Sequence, residues 1–118
     1  MNEAFGKFLR ERREALRETD RRFSVRQVAF RVGVEPSYLS KIERGEQPPP
    51  SEKTIRSLAA DLAEDPDVML ALAGKVSSDL KEVIRRRPRL FAELIREIKN
   101  MPDAAVLRLV REVRDGKW

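Results

Sequence analysis

The chain has 118 residues, enough for one domain or for a domain with a short appendage. Apolar residues make up 41% and charged residues 38%, and the net charge is +5. A basic surface attracts phosphate groups and so favours nucleic acid as a partner. The absence of Cys and His excludes disulfides, thiolate chemistry, the usual zinc ligand sets and histidine-based catalysis.

No apolar run approaches the roughly 18 to 20 residues of a membrane span, and residues 1–10 contain no signal-peptide core. We therefore expect a soluble, cytoplasmic protein with no membrane contact. Acidic residues occur at 61, 64, 65 and 67, where helix caps explain them better than a bound cation. Because nothing supplies a nucleophile or a pocket beside the carboxylates, the sequence predicts no enzyme, no metal and no cofactor.

Prolines and glycines divide the first part of the chain into five helical periods, and no strand pattern is present. The first helix is followed by a charged stretch, residues 17–22, that is either its frayed end or an exposed loop. Ser24 caps a second helix and Gly33 stops it. A third helix begins at Pro36 and ends at Gly45. The N-caps and stops of the remaining two helices are Ser51, Asp65 and Gly74.

Residues 75–118 contain three shorter amphipathic periods, interrupted at Pro88 and Pro102. Such short helices cannot bury their apolar stripes alone, so they must pack on the first unit or on another chain. The basic cluster at residues 85–89 is a second DNA contact or, more simply, a solvated helix end. Trp118 is a loose tail or a docked anchor. We predict an all-α fold with a domain at 1–74 and a helical extension at 75–118.

The segment from Val25 to Gly45 has the pattern of a helix-turn-helix. Ala29 lies four residues before Gly33, where two helices cross closely, and Leu39 and Ile42 point into the core. The opposite face of the third helix is polar and free to enter a DNA groove, as a recognition helix requires. The apolar spacing alone would favour a plain helical hairpin in an all-α core, so the identification depends on the whole string of residues.

The string Ser37-Tyr38-Leu39-Ser40-Lys41-Ile42-Glu43-Arg44-Gly45, followed by prolines and Ser51, resembles the phage-repressor-like helix-turn-helix regulators. This is the Cro/repressor type, or xenobiotic-response-element family. The resemblance spans about Phe5 to Gly74. It implies a compact five-helix domain that binds double-stranded DNA.

The resemblance also implies roles for matching positions. Base contacts fall on Pro36, Ser37, Tyr38, Ser40 and Lys41. Phosphate contacts fall on Arg26, Gln27, Arg44 and Lys53. A structural ion pair joins Arg13 to Glu43. In addition, the long connection after the first helix offers Arg17, Arg21 and Arg22 to the flanking DNA, or to solvent.

Three features depart from the family pattern. Val25 stands where the family often has Gln, Glu35 puts a negative charge near the DNA, and residues 46–48 lack basic side chains. The contact assignments are weakest at these positions.

Three functions remain open on the sequence. The first is a homodimeric repressor of a palindromic operator, with the extension forming the dimer. The second is an antitoxin-type module whose residues 76–118 bind a partner protein while the helix-turn-helix autoregulates. The third is a domain that kept the fold and lost DNA binding.

Overall fold

The structure, a computed structural model, describes residues 3–116. These residues form eight α-helices and one 3-10 helix, and no strand occurs among them, which confirms the all-α prediction. They divide into two compact units, one ending at Ser77 and the other beginning at Ser78. Within the described part of the chain, no helix is long and apolar enough to cross a membrane.

The first unit contains five α-helices and the 3-10 helix. The helices are α1 (Glu3–Arg17), α2 (Val25–Val32), α3 (Pro36–Glu43), α4 (Glu52–Leu62) and α5 (Pro66–Leu72). The 3-10 helix spans Arg21–Phe23, between α1 and α2. The second half of the connection after α1 is therefore an ordered 3-10 turn and not a frayed helix end or an irregular loop. Asp20 caps it by accepting a hydrogen bond from the backbone N–H of Arg22.

Local signals in the sequence set most of the helix ends. Ser24 and Ser51 each accept a hydrogen bond from a backbone N–H in the first turn of α2 and α4. Asp65 does the same for α5. Gly33 ends α2 in the left-handed conformation at φ 78°, where a glycine avoids the steric cost of a Cβ.

All five α-helices of the first unit contribute to one aliphatic core. Its fully buried side chains are Phe5, Leu9, Val28, Ala29, Leu39, Ile42, Ile55, Leu58, Ala59, Leu62, Met69 and Leu70. Phe23 of the 3-10 helix packs against the edge of this core. Burial of these side chains supplies the main driving force for folding the unit.

The first unit continues beyond the expected boundary at residue 74. Lys75 Nζ donates a hydrogen bond of 2.9 Å to the Pro50 carbonyl oxygen. Ser77 is only 1% exposed. Residues 75–77 therefore complete the first unit instead of beginning the second.

The second unit contains α6 (Ser78–Arg86), α7 (Pro88–Ile98) and α8 (Asp103–Arg114). None of its described residues is buried. Large apolar side chains remain open to solvent on all three helices, among them Val83, Leu90 and Val113. The residue Trp118, for which two interpretations were open, lies outside the described residues.

Candidate nucleic-acid interface

Helix α3 has one face held in the core and another open to solvent. Leu39, Ile42 and Glu43 are buried on the inner face. Ser37 and Lys41 are exposed on the outer face, whereas three further predicted base-contact residues are half-buried: Pro36, Tyr38 and Ser40. The outer face therefore offers hydroxyl and ammonium donors, and the buried inner face holds the helix in one orientation on the domain.

The turn between α2 and α3 fixes the relation of the two helices. The backbone N–H groups of Gly33 and Val34 both donate to the Ala29 carbonyl oxygen, at 2.9 and 3.0 Å. The Val34 side chain packs against the core, and the buried Ala29 has only a methyl group to accommodate. The small residue and the glycine thus allow a tight turn.

The end of α3 also lies very close to α1. A Cβ atom at Gly6 would overlap the Ile42 carbonyl oxygen and would lie 2.8 Å from the Glu43 carbonyl oxygen. Only glycine permits this approach. The sequence alone predicts no role for Gly6, because a glycine inside a helix carries no signal of what it contacts.

Beside this contact, Arg13 of α1 forms a two-pronged ion pair with Glu43 of α3. Arg13 Nε lies 2.7 Å from Glu43 Oε2, and Arg13 Nη2 lies 2.9 Å from Glu43 Oε1. The two side chains are 5% and 4% exposed. The hydrogen bonds that Arg13 donates to Glu43 raise the pKa of the Arg13 guanidinium above its ordinary value. Arg13 Nη1 also donates to the Phe23 carbonyl oxygen at 3.2 Å, which ties the 3-10 helix to the same pair.

Four residues were predicted to contact phosphate groups, and the structure places all four at the surface. Arg26 and Gln27 are exposed in the first turn of α2, and Lys53 is exposed in the first turn of α4. Arg44 is exposed directly after α3, but it binds Glu46 through Nε and Oε2 at 2.6 Å. A phosphate would have to replace Glu46 on this arginine.

The three arginines of the α1–α2 connection differ in their surroundings. Arg17 and Arg21 are exposed. Arg22 is drawn back onto Asp20, with 2.7 Å between Arg22 Nη2 and Asp20 Oδ2. The hydrogen bonds from Arg22 lower the pKa of Asp20 to about 2. Asp20 therefore competes with any flanking phosphate for Arg22.

The residues that depart from the family pattern have local explanations. Val25 packs its side chain against the core. Glu35 occupies the N-cap position of α3 without forming a side-chain cap hydrogen bond, and it is exposed. The loop after α3 has no basic side chain at residues 46–48. Glu46 forms an ion pair with Arg44, so together they contribute no net charge.

The acidic residues near the end of α4 have structural roles. Asp61 accepts two hydrogen bonds from Arg31 of α2, at 2.6 and 3.0 Å. Glu64 binds Arg12 of α1 at 2.9 Å. Within residues 3–116, no group of three potential ligand side chains is arranged to hold a metal ion.

A cavity of about 190 Å³ opens where α1, the start of α2 and the end of α3 meet. Its lining residues are Arg10, Arg13, Val25, Ser40, Glu43 and Arg44. Arg10 is not among the predicted site residues, because its position in α1 shows helical phase but not which loop or helix lies opposite.

Comparison with known proteins identifies the fold family. A family model described as a helix-turn-helix domain matches residues 4–72. The uncharacterized HTH-type transcriptional regulator RghRB of Bacillus subtilis (strain 168) is 35% identical over 79 residues, which cover 67% of this chain. The chain spans about half of that relative, 53% of its length. No solved structure matches. The chain belongs to the helix-turn-helix family, of the Cro/repressor-like type.

Proposed function

We propose that this protein binds a specific double-stranded DNA site and acts as a homodimeric repressor of a palindromic operator. The observation that supports this best is the division of α3. Its inner face is fixed by Leu39, Ile42 and the buried Glu43, and its outer face presents polar side chains to solvent. A helix with that division can read base edges without losing its register on the domain.

The reading face would use the residues at the start and middle of α3. Lys41 donates to guanine O6 or N7 in the major groove. Ser37 and Tyr38 donate to base acceptors or contact a thymine methyl group. Pro36, before Ser37, and Ser40, beside Lys41, complete the face. The backbone of α2 and the side chains of Arg26 and Gln27 would hold the flanking phosphate, with Lys53 and Arg44 on further phosphates.

Dimerisation follows from the small reach of one recognition helix. A single helix reads only a few base pairs, and symmetric dimers double the site by placing two such helices one helical turn apart. The second unit supports this proposal, because several of its large apolar side chains are exposed and none of its described residues is buried. A dimer on an operator would block polymerase, and its place of action would be the nucleoid in the cytoplasm.

The test is selection of sites from a random DNA pool by the full chain at ~150 mM salt, a concentration at which electrostatic affinity alone is already reduced. Light scattering measures the mass of the protein in the same buffer. We expect an enriched palindrome and a dimer mass. Failure to enrich any sequence would overturn sequence-specific binding, and a monomer mass on an asymmetric site would overturn the dimer.

Two substitutions distinguish the proposed base contacts from the proposed phosphate contacts. Lys41→Ala should relax the preference at one base step by about 1 to 3 kcal/mol. Arg26→Ala should weaken binding to all sequences alike and lower the salt slope by about 1. Equal effects of both substitutions on all sequences would contradict the assignment of Lys41.

A second candidate function is an antitoxin-type module. Here residues 76–118 bind a partner protein and the first unit autoregulates. The open apolar faces of α6–α8 favour this function as much as they favour a homodimer. Co-expression with the product of the neighbouring gene distinguishes the two. A stable heteromeric complex that replaces the homodimer would favour the antitoxin, and a homodimer that stays intact would favour the repressor.

A further inference from the structure

Two arginines from different helices face the cavity between α1 and the end of α3. Arg10 lies in α1 and Arg44 follows α3, and both line the cavity of about 190 Å³. An adjoining cavity of about 410 Å³ shares Arg10, Glu43 and Arg44 and adds Lys7 and Glu3. Cationic residues of α1 and the arginine that follows α3 therefore line the same region of the surface.

The acidic group at this cavity does not cancel these charges. Glu43 uses both of its carboxylate oxygens for Arg13, at 2.7 and 2.9 Å, so that pair contributes no net charge. Ser40 adds a hydroxyl group from α3. Apart from that pair, the polar residues that line the cavity of about 190 Å³ are two arginines and one serine, a set of residue types that suits a phosphate oxygen.

Both arginines already bind carboxylates through exposed contacts. Arg10 Nε lies 2.8 Å from Glu14 Oε1 one turn along α1, and Arg44 Nε lies 2.6 Å from Glu46 Oε2. These hydrogen bonds lower the pKa of Glu14 and of Glu46, so both acids stay charged near neutral pH. Water and salt screen exposed pairs of this kind, so they contribute little to stability and a phosphate can displace them easily.

We propose that this cavity binds a backbone phosphate of the DNA duplex, and that Arg10 and Arg44 exchange Glu14 and Glu46 for that phosphate. The proposal rests on the proposed function, because it needs a bound duplex. It extends that function by adding α1 to the DNA interface. Arg10 then positions the domain on the backbone and reads no base.

The test measures the dependence of duplex affinity on salt concentration, with the full chain and a mixed-sequence duplex. Each lost phosphate contact lowers the slope of log K against log salt by about 0.9. We expect Arg10→Gln to lower the slope by that amount. The matched control is Arg56→Gln, which removes one charge from an exposed i, i+4 pair with Glu52 that does not line the cavity.

The carboxylate exchange has its own pair of variants. Glu14→Gln frees Arg10 from its competitor and should raise duplex affinity about two- to fivefold, the range of an exposed ion pair. Glu52→Gln removes the same charge from the control pair and should have a smaller effect. Equal effects of Glu14→Gln and Glu52→Gln would show a general charge effect and would overturn the exchange.

The outcomes separate this proposal from the proposed function. If the wild-type chain binds no duplex, the proposed function itself fails. If it binds with a salt slope that Arg10→Gln and Arg56→Gln leave equally unchanged, the cavity is not a phosphate site. If sulfate raises the Tm of the wild type but not of Arg10→Gln, at constant ionic strength and with no change in the duplex slope, the cavity binds small anions and the proposal is overturned.

Discussion

At the scale of single residues, Arg13 and Glu43 form a buried ion pair that joins α1 to α3. Both side chains are almost fully withdrawn from water, and their charges meet through two short hydrogen bonds. A buried pair of this kind adds little stability over apolar residues, but removing one partner leaves an uncompensated charge. The pair therefore fixes the position of α3 on α1 more than it stabilises the domain.

We expect Arg13→Met or Glu43→Leu alone to lower the free energy of unfolding by about 3 to 5 kcal/mol. The double variant should recover much of that loss, since it buries no charge. Urea denaturation measures all three, and Glu14→Gln on the exposed surface of α1 serves as the control. A double variant no more stable than the single ones would show that packing, not charge, dominates this site.

Gly6 shows how a contact can reverse an ordinary preference. Replacing glycine by alanine inside a helix normally stabilises a protein by about 0.5 to 1 kcal/mol. At Gly6 the new Cβ would collide with the carbonyl oxygens of Ile42 and Glu43 at the end of α3. We expect Gly6→Ala to destabilise the first unit by about 1 to 3 kcal/mol, the range for overpacking.

The measurement is again urea denaturation, with Ala15→Gly as the matched control. Ala15 is exposed in the same helix, so its replacement should cost only the ordinary helix propensity of about 1 kcal/mol. A Gly6→Ala variant as stable as the wild type would mean that α1 and α3 can move apart freely.

At the scale of secondary-structure elements, the 3-10 helix between α1 and α2 depends on a charge pair. Asp20 accepts from the backbone N–H of Arg22 at 2.9 Å and binds the guanidinium group of the same residue. These bonds lower the pKa of Asp20 to about 2, below its ordinary 3.8. The charged carboxylate is the form that the fold favours, so this stabilisation is present above pH 3.8 and is lost as the pH falls toward 2.

We expect an NMR titration of Asp20 with a midpoint near 2, and a return toward 3.8 in Arg22→Gln. Arg21→Gln removes a neighbouring charge from the same helix and should leave the midpoint low. A wild-type midpoint at the ordinary value would show that Arg22 does not bind Asp20 in solution. Arg22 would then be available to flanking DNA.

The caps of the elements could be predicted from sequence because they are local. Ser24, Ser51 and Asp65 satisfy backbone donors within two or three residues, and Gly33 meets a backbone requirement at its own position. The 3-10 helix could not be predicted in this way. Its Asp20 cap is local, but its other contacts come from neighbouring helices: Arg13 of α1 donates to the Phe23 carbonyl oxygen, and the Arg31 guanidinium of α2 lies 5.1 Å from the centre of the Phe23 ring.

The candidate site likewise has one part that the sequence predicts and another that it does not. The outer face of α3 follows from helical phase and from the family resemblance. The place of Arg10 at the cavity does not, because it depends on which residues of α2 and α3 lie opposite α1. The same holds for the pairing of Arg44 with Glu46, which only the path of the loop after α3 determines.

At the scale of the whole molecule, the two units differ in how they are stabilised. The first has a closed core, whereas no described residue of the second is buried. Units of about 40 residues usually need disulfides, metals or oligomerisation to fold, and this chain has no Cys. Helices α7 and α8 form an apolar groove of about 390 Å³, lined by Leu94, Ile98, Leu109, Val110, Val113 and Arg114. In the proposed function, a second copy or another protein covers this groove.

If the partner is a second copy, as proposed above, a charge in this groove should separate the copies. We expect Val110→Asp to reduce the mass measured by light scattering from dimer to monomer. Helix content by circular dichroism should fall with dilution in the wild type, because α6–α8 lose their cover. Val110 is 44% exposed in the single chain, so the substitution should not unfold a monomer by burying a charge.

DNA binding supplies the second measurement on the same variant. Two linked sites gain about 10² to 10⁴ in affinity over one. Val110→Asp should therefore lose at least about 10²-fold in affinity for a duplex with two half-sites and keep its affinity for a single half-site. The control is Ala104→Asp, which adds the same charge to an exposed position of α8 outside the groove. A Val110→Asp variant that remains a dimer would place the dimer contact elsewhere, and a wild type that stays monomeric at every concentration would leave the groove to a different protein.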